Sequence, residues 1–239
     1  MSFLKFKHHF NTSLEEMRDV IVVGVVFGFV VSLGFNSGTT SDFSRIEWIS
    51  YLLDMIIFGL VMMAVYVTAQ KFIAIALGYN AKFQVWYLGL LLGVLGGFVS
   101  QGKAYILIPG AAFLKTIPTI RINKYFSNYT FRDDAWIQFL GLAFMLIFAL
   151  VLKPFVVYNP EFHTFISMCV ALVLFSMLPL PYTPGGKIFF SSKFVYLFGV
   201  GYLVMFSVLL MQASFIAALF GGLIGGLMFL IVYHLIHWD

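Results

Sequence analysis

His234 and His237 stand one helical turn apart near the end of this 239-residue chain, and His8, His9, Glu15, Glu16 and Asp239 share their side in the topology derived below. Imidazoles at that spacing beside carboxylates are the residue types that ligate a divalent metal. The competing reading is a pair of interfacial histidines that close a helix against headgroups. His163 falls on the opposite side and cannot join them. Asp54 is the one carboxylate inside a long apolar segment. An intramembrane acid is a candidate proton or ion relay. Its position about 9 Å along the helix from Trp48 is shallow, and favours a hydrogen-bonded structural aspartate facing the bundle. Lys71, toward the other end of the same segment, has a stem long enough to snorkel to the headgroups. Cys169 is alone, which excludes a disulfide framework and any cysteine-ligated zinc or iron–sulfur site. No Gly-rich phosphate loop and no Ser/His/Asp array is visible.

The elements that must carry these residues follow from composition. The chain is 62% hydrophobic, 19% aromatic and 10% charged, with a mean hydropathy of +0.99. An ordinary soluble chain is about a quarter charged, so this one cannot cover a water-facing surface and reads as a single integral membrane domain over 1–239. The formal charge of +4 is spread thinly at the ends of apolar segments, the pattern of membrane topology rather than of nucleic-acid binding. Ser13 with Glu16 three residues later reads as a capping box that opens a first helix, running into the membrane over 20–34. No small-residue cleavage site follows it, which argues against a signal peptide. Further helices are expected over 48–77, 136–157, 162–180 and 194–236. The last is too long for one crossing and is split near 211–214. The fold class is therefore all-α, a polytopic bundle of about six transmembrane helices.

Residues 86–99 are apolar but too short to cross, and glycine-rich at Gly89, Gly93, Gly96 and Gly97. If they do not cross, twelve basic residues fall inside and two, Arg45 and Lys153, outside. If they do, the asymmetry of the positive-inside rule is destroyed. Six spans with both termini in the cytoplasm follow, in a multi-pass protein of the cell membrane. Residues 78–134 form a cytoplasmic-side insertion between the second and third spans. Its alternations at 82–86 and 104–108 predict strands, and Pro109-Gly110 a turn. Paired glycines at Gly221, Gly222, Gly225 and Gly226 put a small-residue face on the last helix, for packing within the bundle or against another subunit.

The run Y-V-T-A-Q-K at Tyr66–Lys71, continuing to Trp86, resembles the signature helix of the site-2-protease-like intramembrane metalloproteases, peptidase family M50, which carries H-E-x-x-H-K. In the family's order there follow the small-residue turn Ile108-Pro109-Gly110-Ala111 and I-Q-F-L-G-L-A-F-M-L, which stands where the family has G-P-x-x-N. Last comes L-P-L-P-Y-T-P-G-G-K, similar to P-x-P-x-x-D-G in the spacing of Pro179, Pro181 and Gly185. In active members the two histidines and the aspartate bind zinc, and the glutamate is the general base toward the bound water. Here those positions are Tyr66, Val67, Gln70 and Pro184, and the helix asparagine is Met145. Tyrosine and glutamine are poor zinc ligands, and valine and proline offer no base or ligand. The resemblance implies a pseudoprotease: no catalytic residue, no metal and no cofactor.

The leading expectation is thus a catalytically inactive, structural or partner-binding subunit of a membrane protein complex. Its partners are the lipid bilayer and other integral membrane proteins. A degenerate pocket of Tyr66, Gln70, Lys71 and the Pro184-Gly185-Gly186 turn would hold a partner segment, with strand pairing on the insertion as one route. The alternatives are a small transporter or channel using Asp54, lining its path with groups near Gln70 and Gln101, and a metalloprotease with substitute ligands. Asn128-Tyr129-Thr130 matches a glycosylation sequon on the cytoplasmic side. In a glycosylating membrane system Asn128 is expected to stay unmodified, and a mass shift from a glycan there would overturn the topology.

Overall fold

The computed structural model describes residues 12–35, 45–116, 131–212 and 215–236. Helix α1 (Leu14–Ser32) starts where Ser13 Oγ accepts the Glu16 N–H at 3.2 Å. Only half of the expected capping box forms, because the Glu16 carboxylate turns away to other elements. Helix α2 (Arg45–Ala76) lies along α1 at a contact made by glycines: Gly24 and Gly28 on α1 face Gly59 on α2. A Cβ at Gly59 would overlap the Gly24 carbonyl oxygen, and one at Gly28 would meet the Ile56 backbone. The two backbones touch, as small residues four apart permit.

The later helices are α4 (Phe131–Leu152), which ends in a 3-10 turn (Lys153–Val157), then α5 (Glu161–Ser176), α6 (Pro184–Ser191), α7 (Lys193–Gln212) and α8 (Phe215–Ile236). The break between α7 and α8 falls where the length argument put it, and α6 is a helix that the turn reading of Pro184-Gly185-Gly186 did not include. Consecutive long helices run antiparallel. Trp48 Nε1 donates to Ser32 O at 3.2 Å and Lys153 Nζ to Leu210 O at 2.6 Å at one end of the bundle. The start of α1, the end of α2 and the start of α4 meet at the other.

That second end carries a two-stranded antiparallel sheet, β1 (Tyr79–Val85) and β2 (Gly110–Thr116), with Phe83 opposite Ala112. Strand β1 is where alternation placed one. The second expected strand is not: residues 105–109 carry no regular secondary structure, and the ladder with β1 covers Gly110–Thr116. The reason is α3 (Tyr87–Val99), a 13-residue helix that runs from the sheet toward the opposite end. The chain then returns beside it, with the carbonyls of Ile108 and Ile106 occupying the space where Gly89 and Gly93 would carry side chains. Trp86 N–H donates to Pro109 O at 3.0 Å, so this excursion leaves and returns at the same place. It does not cross.

Its tip corrects the charge count. Gly102, at φ +70°, packs on the Gly34 backbone at the far end of α1, so Lys103 belongs with Arg45 and Lys153 rather than with the sheet end. Among the described residues, Arg18, Lys71, Lys82, Lys115, Arg132, Lys187 and Lys193 remain at the sheet end, seven against three.

Four helices among the described residues are long and apolar enough to cross a membrane: Arg45–Ala76, Phe131–Val157, Lys193–Gln212 and Ile216–Leu235. Helix α1 carries Glu15, Glu16, Arg18 and Asp19 in its first turns, and α5, at 16 residues, is about 24 Å long. The chain is an all-α membrane protein with a small sheet. Gly59→Ala forces α1 from α2 and is expected to cost about 1–3 kcal/mol. The check is a lowered thermal midpoint in detergent, which an alanine at the exposed position Thr68 should not produce.

Candidate functional site

Tyr66, Val67 and Gln70 fall on the buried side of α2. Gln70 Nε2 donates to Tyr66 Oη and to Gln138 Oε1 on α4, both at 2.9 Å. Gln138 Nε2 in turn donates to the Ala112 carbonyl of β2 at 2.8 Å and to Asp134 Oδ1 at 3.0 Å. Gly141 on α4 leaves the space that the Gln70 stem fills. The polarity of the chain is fixed from the Ala112 end: a carbonyl and a carboxylate require the Gln138 amide nitrogen, so its oxygen faces Gln70. Gln70 Oε1 is left buried and without a partner. Tyr66, Gln70 and Gln138 are each at most 1% exposed. The centre expected to be a pocket is filled by its own side chains, and Met145 is buried on α4.

Lys71 takes no part in this chain. It does not snorkel: it is 3% exposed and its ammonium meets Glu16 Oε2 at 2.6 Å and Thr12 Oγ1 at 3.1 Å. The other Glu16 oxygen accepts the Phe83 N–H of β1 at 3.0 Å. Phe83 and Ala112 are register partners, so this rung turns its backbone groups outward. Glu16 takes one side. Gln138 and Lys187 Nζ take the Ala112 carbonyl on the other. One outward backbone group on each edge of the rung is thus occupied by a side chain, which obstructs a third strand there.

The Pro184-Gly185-Gly186 segment is the first turn of α6, capped by Thr183, whose Oγ1 accepts the Gly186 N–H at 3.1 Å. Side chains at Gly185 and Gly186 would overlap the carbonyls of Met177 and Leu180, which explains the pair. One turn on, Lys187 lies 3.7 Å above the Phe113 ring. Burial pushes its ammonium below the usual lysine range, while the charge of Asp134 opposes that shift. Beside Asp134 and Lys187 opens a cavity of about 270 Å³, walled by Phe113, Phe131, Tyr182 and Phe190. Tyr182 holds φ at +63°, a left-handed conformation that costs a non-glycine residue about 1–3 kcal/mol, and such strain collects at functional sites.

The structure brings Tyr66, Gln70 and, through Ala112, the α6 turn together, and it separates Lys71 from them. Asp54 is half-buried on the face of α2 shared by Tyr51 and Phe58, toward α5, where Phe58 packs on Phe165 at 5.1 Å. Gly221, Gly222, Gly225 and Gly226 pack against Leu209, Phe206, Met205 and Phe198 of α7, so the glycine face serves the bundle itself. Glu15 pairs with Lys82 at 2.6 Å. His234 is exposed, and His8, His9, Asn128, His237 and Asp239 lie outside the described residues. Among the described residues no three His, Cys, Asp or Glu side chains converge as metal ligands.

Sequence reasoning missed Gln138, Asp134 and Lys187 as site residues. Gln138 carried a signal, an amide inside an apolar helix, whereas Lys187 read as an ordinary span-end cation. The chain matches no family model, no curated protein and no solved structure. Lys71→Met leaves the Glu16 carboxylate buried without its cation and is expected to destabilise by about 3–5 kcal/mol. Glu16→Gln with Lys71→Met should recover most of that in detergent unfolding, because the amide oxygen still accepts from Phe83. Equal losses in the single and double variants would mean the ion pair is not the lock.

Proposed function

We propose that this chain is a non-catalytic integral membrane subunit, a pseudoprotease scaffold of the M50 type whose role is to hold or assemble other membrane proteins. The observation that carries the reading is the filled centre. At the positions where the family resemblance would put two zinc ligands and a general base stand Tyr66, Gln70 and Val67, all buried. The first two are hydrogen-bonded into a chain that ends on a backbone carbonyl. A metalloprotease needs three protein ligands with an open coordination position and a water. A buried amide and phenol hydrogen-bonded to each other supply neither ligands nor space.

Six crossings by α1, α2, α4, α5, α7 and α8 fit this reading, with both termini and the sheet on the cytoplasmic side. The seven-to-three distribution of basic residues supports that orientation. Helix α8 leaves Phe220, Leu223, Ile224, Leu227, Met228 and Ile231 exposed while its glycines take α7. Its outer face is the partner surface in this reading, since side chains obstruct the sheet rung.

The test is purification from native membranes in gentle detergent, followed by native mass and metal content. A complex of fixed stoichiometry, heavier than 27.0 kDa and free of tightly held zinc, is expected. A lone 27.0 kDa species would remove the assembly role, and stoichiometric zinc would restore a metalloenzyme.

A further inference from the structure

The long helices pack in a row: α3 lies mainly on α1, α1 on α2, α2 on α4, α4 on α7 and α7 on α8. Helices α3 and α8 are therefore opposite edges of the molecule, and the two edges differ in apolar height. On α8 the exposed apolar side chains run from Ile216 to Leu235, about 30 Å of helix. That matches a hydrocarbon core of about 30 Å. On α3 they run from Tyr87 to Val99, about 20 Å. Beside it, α1 measures about 22 Å from Asp19 to Leu33.

Both ends of the α3 stretch are fixed at water by features other than its length. Beyond Val99 the chain leaves the helix, and Gln101, at φ +52°, Lys103 and Ala104 are exposed. Irregular backbone open to lipid does not occur within hydrocarbon, where its polar groups have nothing to bond. The tip of the excursion thus lies at an interface, level with Gly34 at the end of α1. Before Tyr87, Gln84 is exposed on β1, and the Lys82–Glu15 pair and Arg18 are exposed at the same end. Arg18 and Lys82 at one end and Lys103 at the other place cations against the phosphates of both leaflets. Tilting the molecule shortens this height further.

We infer that the α1–α3 edge holds the surrounding bilayer about 10 Å thinner than its usual core, while the α8 edge leaves it at ordinary thickness. The partner of the α1–α3 edge is phospholipid with short acyl chains, whose headgroups reach the charges at both ends. This rests on the chain lying in a bilayer, and not on the pseudoprotease reading or on which end is cytoplasmic.

The test uses the purified full chain in oleoyl phosphatidylcholine vesicles, with its one cysteine removed by Cys169→Ala. Single spin labels are placed on α3 by Tyr87→Cys or Val99→Cys and, at the same sequence interval on α8, by Phe220→Cys or Val232→Cys. Relaxation by a water-soluble nickel chelate and by oxygen reads their depth. Both α3 labels should be relaxed more by the chelate, the mark of headgroup depth, and both α8 labels more by oxygen. Lys103→Leu should leave the Val99 label where it is, because the backbone of the tip still needs water. In vesicles that mix myristoleoyl and erucoyl phosphatidylcholine, one brominated at a time, a fluorophore at Leu92→Cys should be quenched more by the short-chain lipid, and one at Ile224→Cys should not.

Relaxation dominated by oxygen at either α3 label would overturn the inference, since the bilayer would then keep its thickness there. Sinking of the Val99 label in Lys103→Leu would do the same, by showing a lysine that only snorkels. So would shielding of both α3 labels from both reagents, which would mean that a second copy of the chain covers this edge. Equal quenching at Leu92 by the two lipids would remove the short-chain partner.

Discussion

The Phe83–Ala112 rung of the two-stranded sheet is buried, and an unsatisfied backbone group there costs about 1–3 kcal/mol. That constraint organises the sheet end of this protein. At the Phe83–Ala112 rung one outward group on each strand is taken by side chains from different helices: the Phe83 N–H by Glu16 of α1, and the Ala112 carbonyl by Gln138 of α4 and Lys187 of α6. Each capping group then brings a dependency of its own. A buried carboxylate demands a cation, which Lys71 of α2 supplies. The Gln138 amide must use its oxygen as well as its nitrogen, and Gln70 of α2 donates to it. One rung thus fixes four helices.

Between the helices the governing constraint is different. Lipid tails are as apolar as leucine, so burial alone does not drive helices together, and close backbone approach has to. Gly24 and Gly28 against Gly59, and Gly225 against Gly201, are two instances of one device. In α3 the same residue type serves an unlike purpose. Its glycines admit carbonyl oxygens of the returning chain at Ile106 and Ile108, a weak C–H contact that accommodates the returning segment without strand pairing.

The sequence was legible where a local rule acts. Ser13 marks a helix start, the alternation at 82–86 falls largely within the strand observed over 79–85, and the excess length after Phe194 requires a break near 211–214. It was not legible where the outcome depends on a partner distant in the chain. Lys71 looks like any span-end lysine until Glu16, 55 positions away, is folded against it. The strand expected over 104–108 fails because α3 presents a glycine face and leaves no strand beside it. The position of Lys103 follows only from the depth of that excursion.

The candidate site shows the same division. The resemblance singled out Tyr66, Gln70 and the Pro-Gly-Gly turn, and these are indeed connected, but through Gln138, Ala112 and Lys187 rather than through a shared ligand. A metal at such a place would tie α2 to the α6 turn by coordination. Here hydrogen bonds make that tie, and no open coordination position is left between them. Function at a site needs both reactive groups and access. The centre has no access, and its polar atoms other than Gln70 Oε1 are used on one another or on the backbone. Asp134 and Lys187 stand at the boundary: their hydrogen bonds to Gln138 and Ala112 anchor them to the filled centre, and both residues line the cavity beside it.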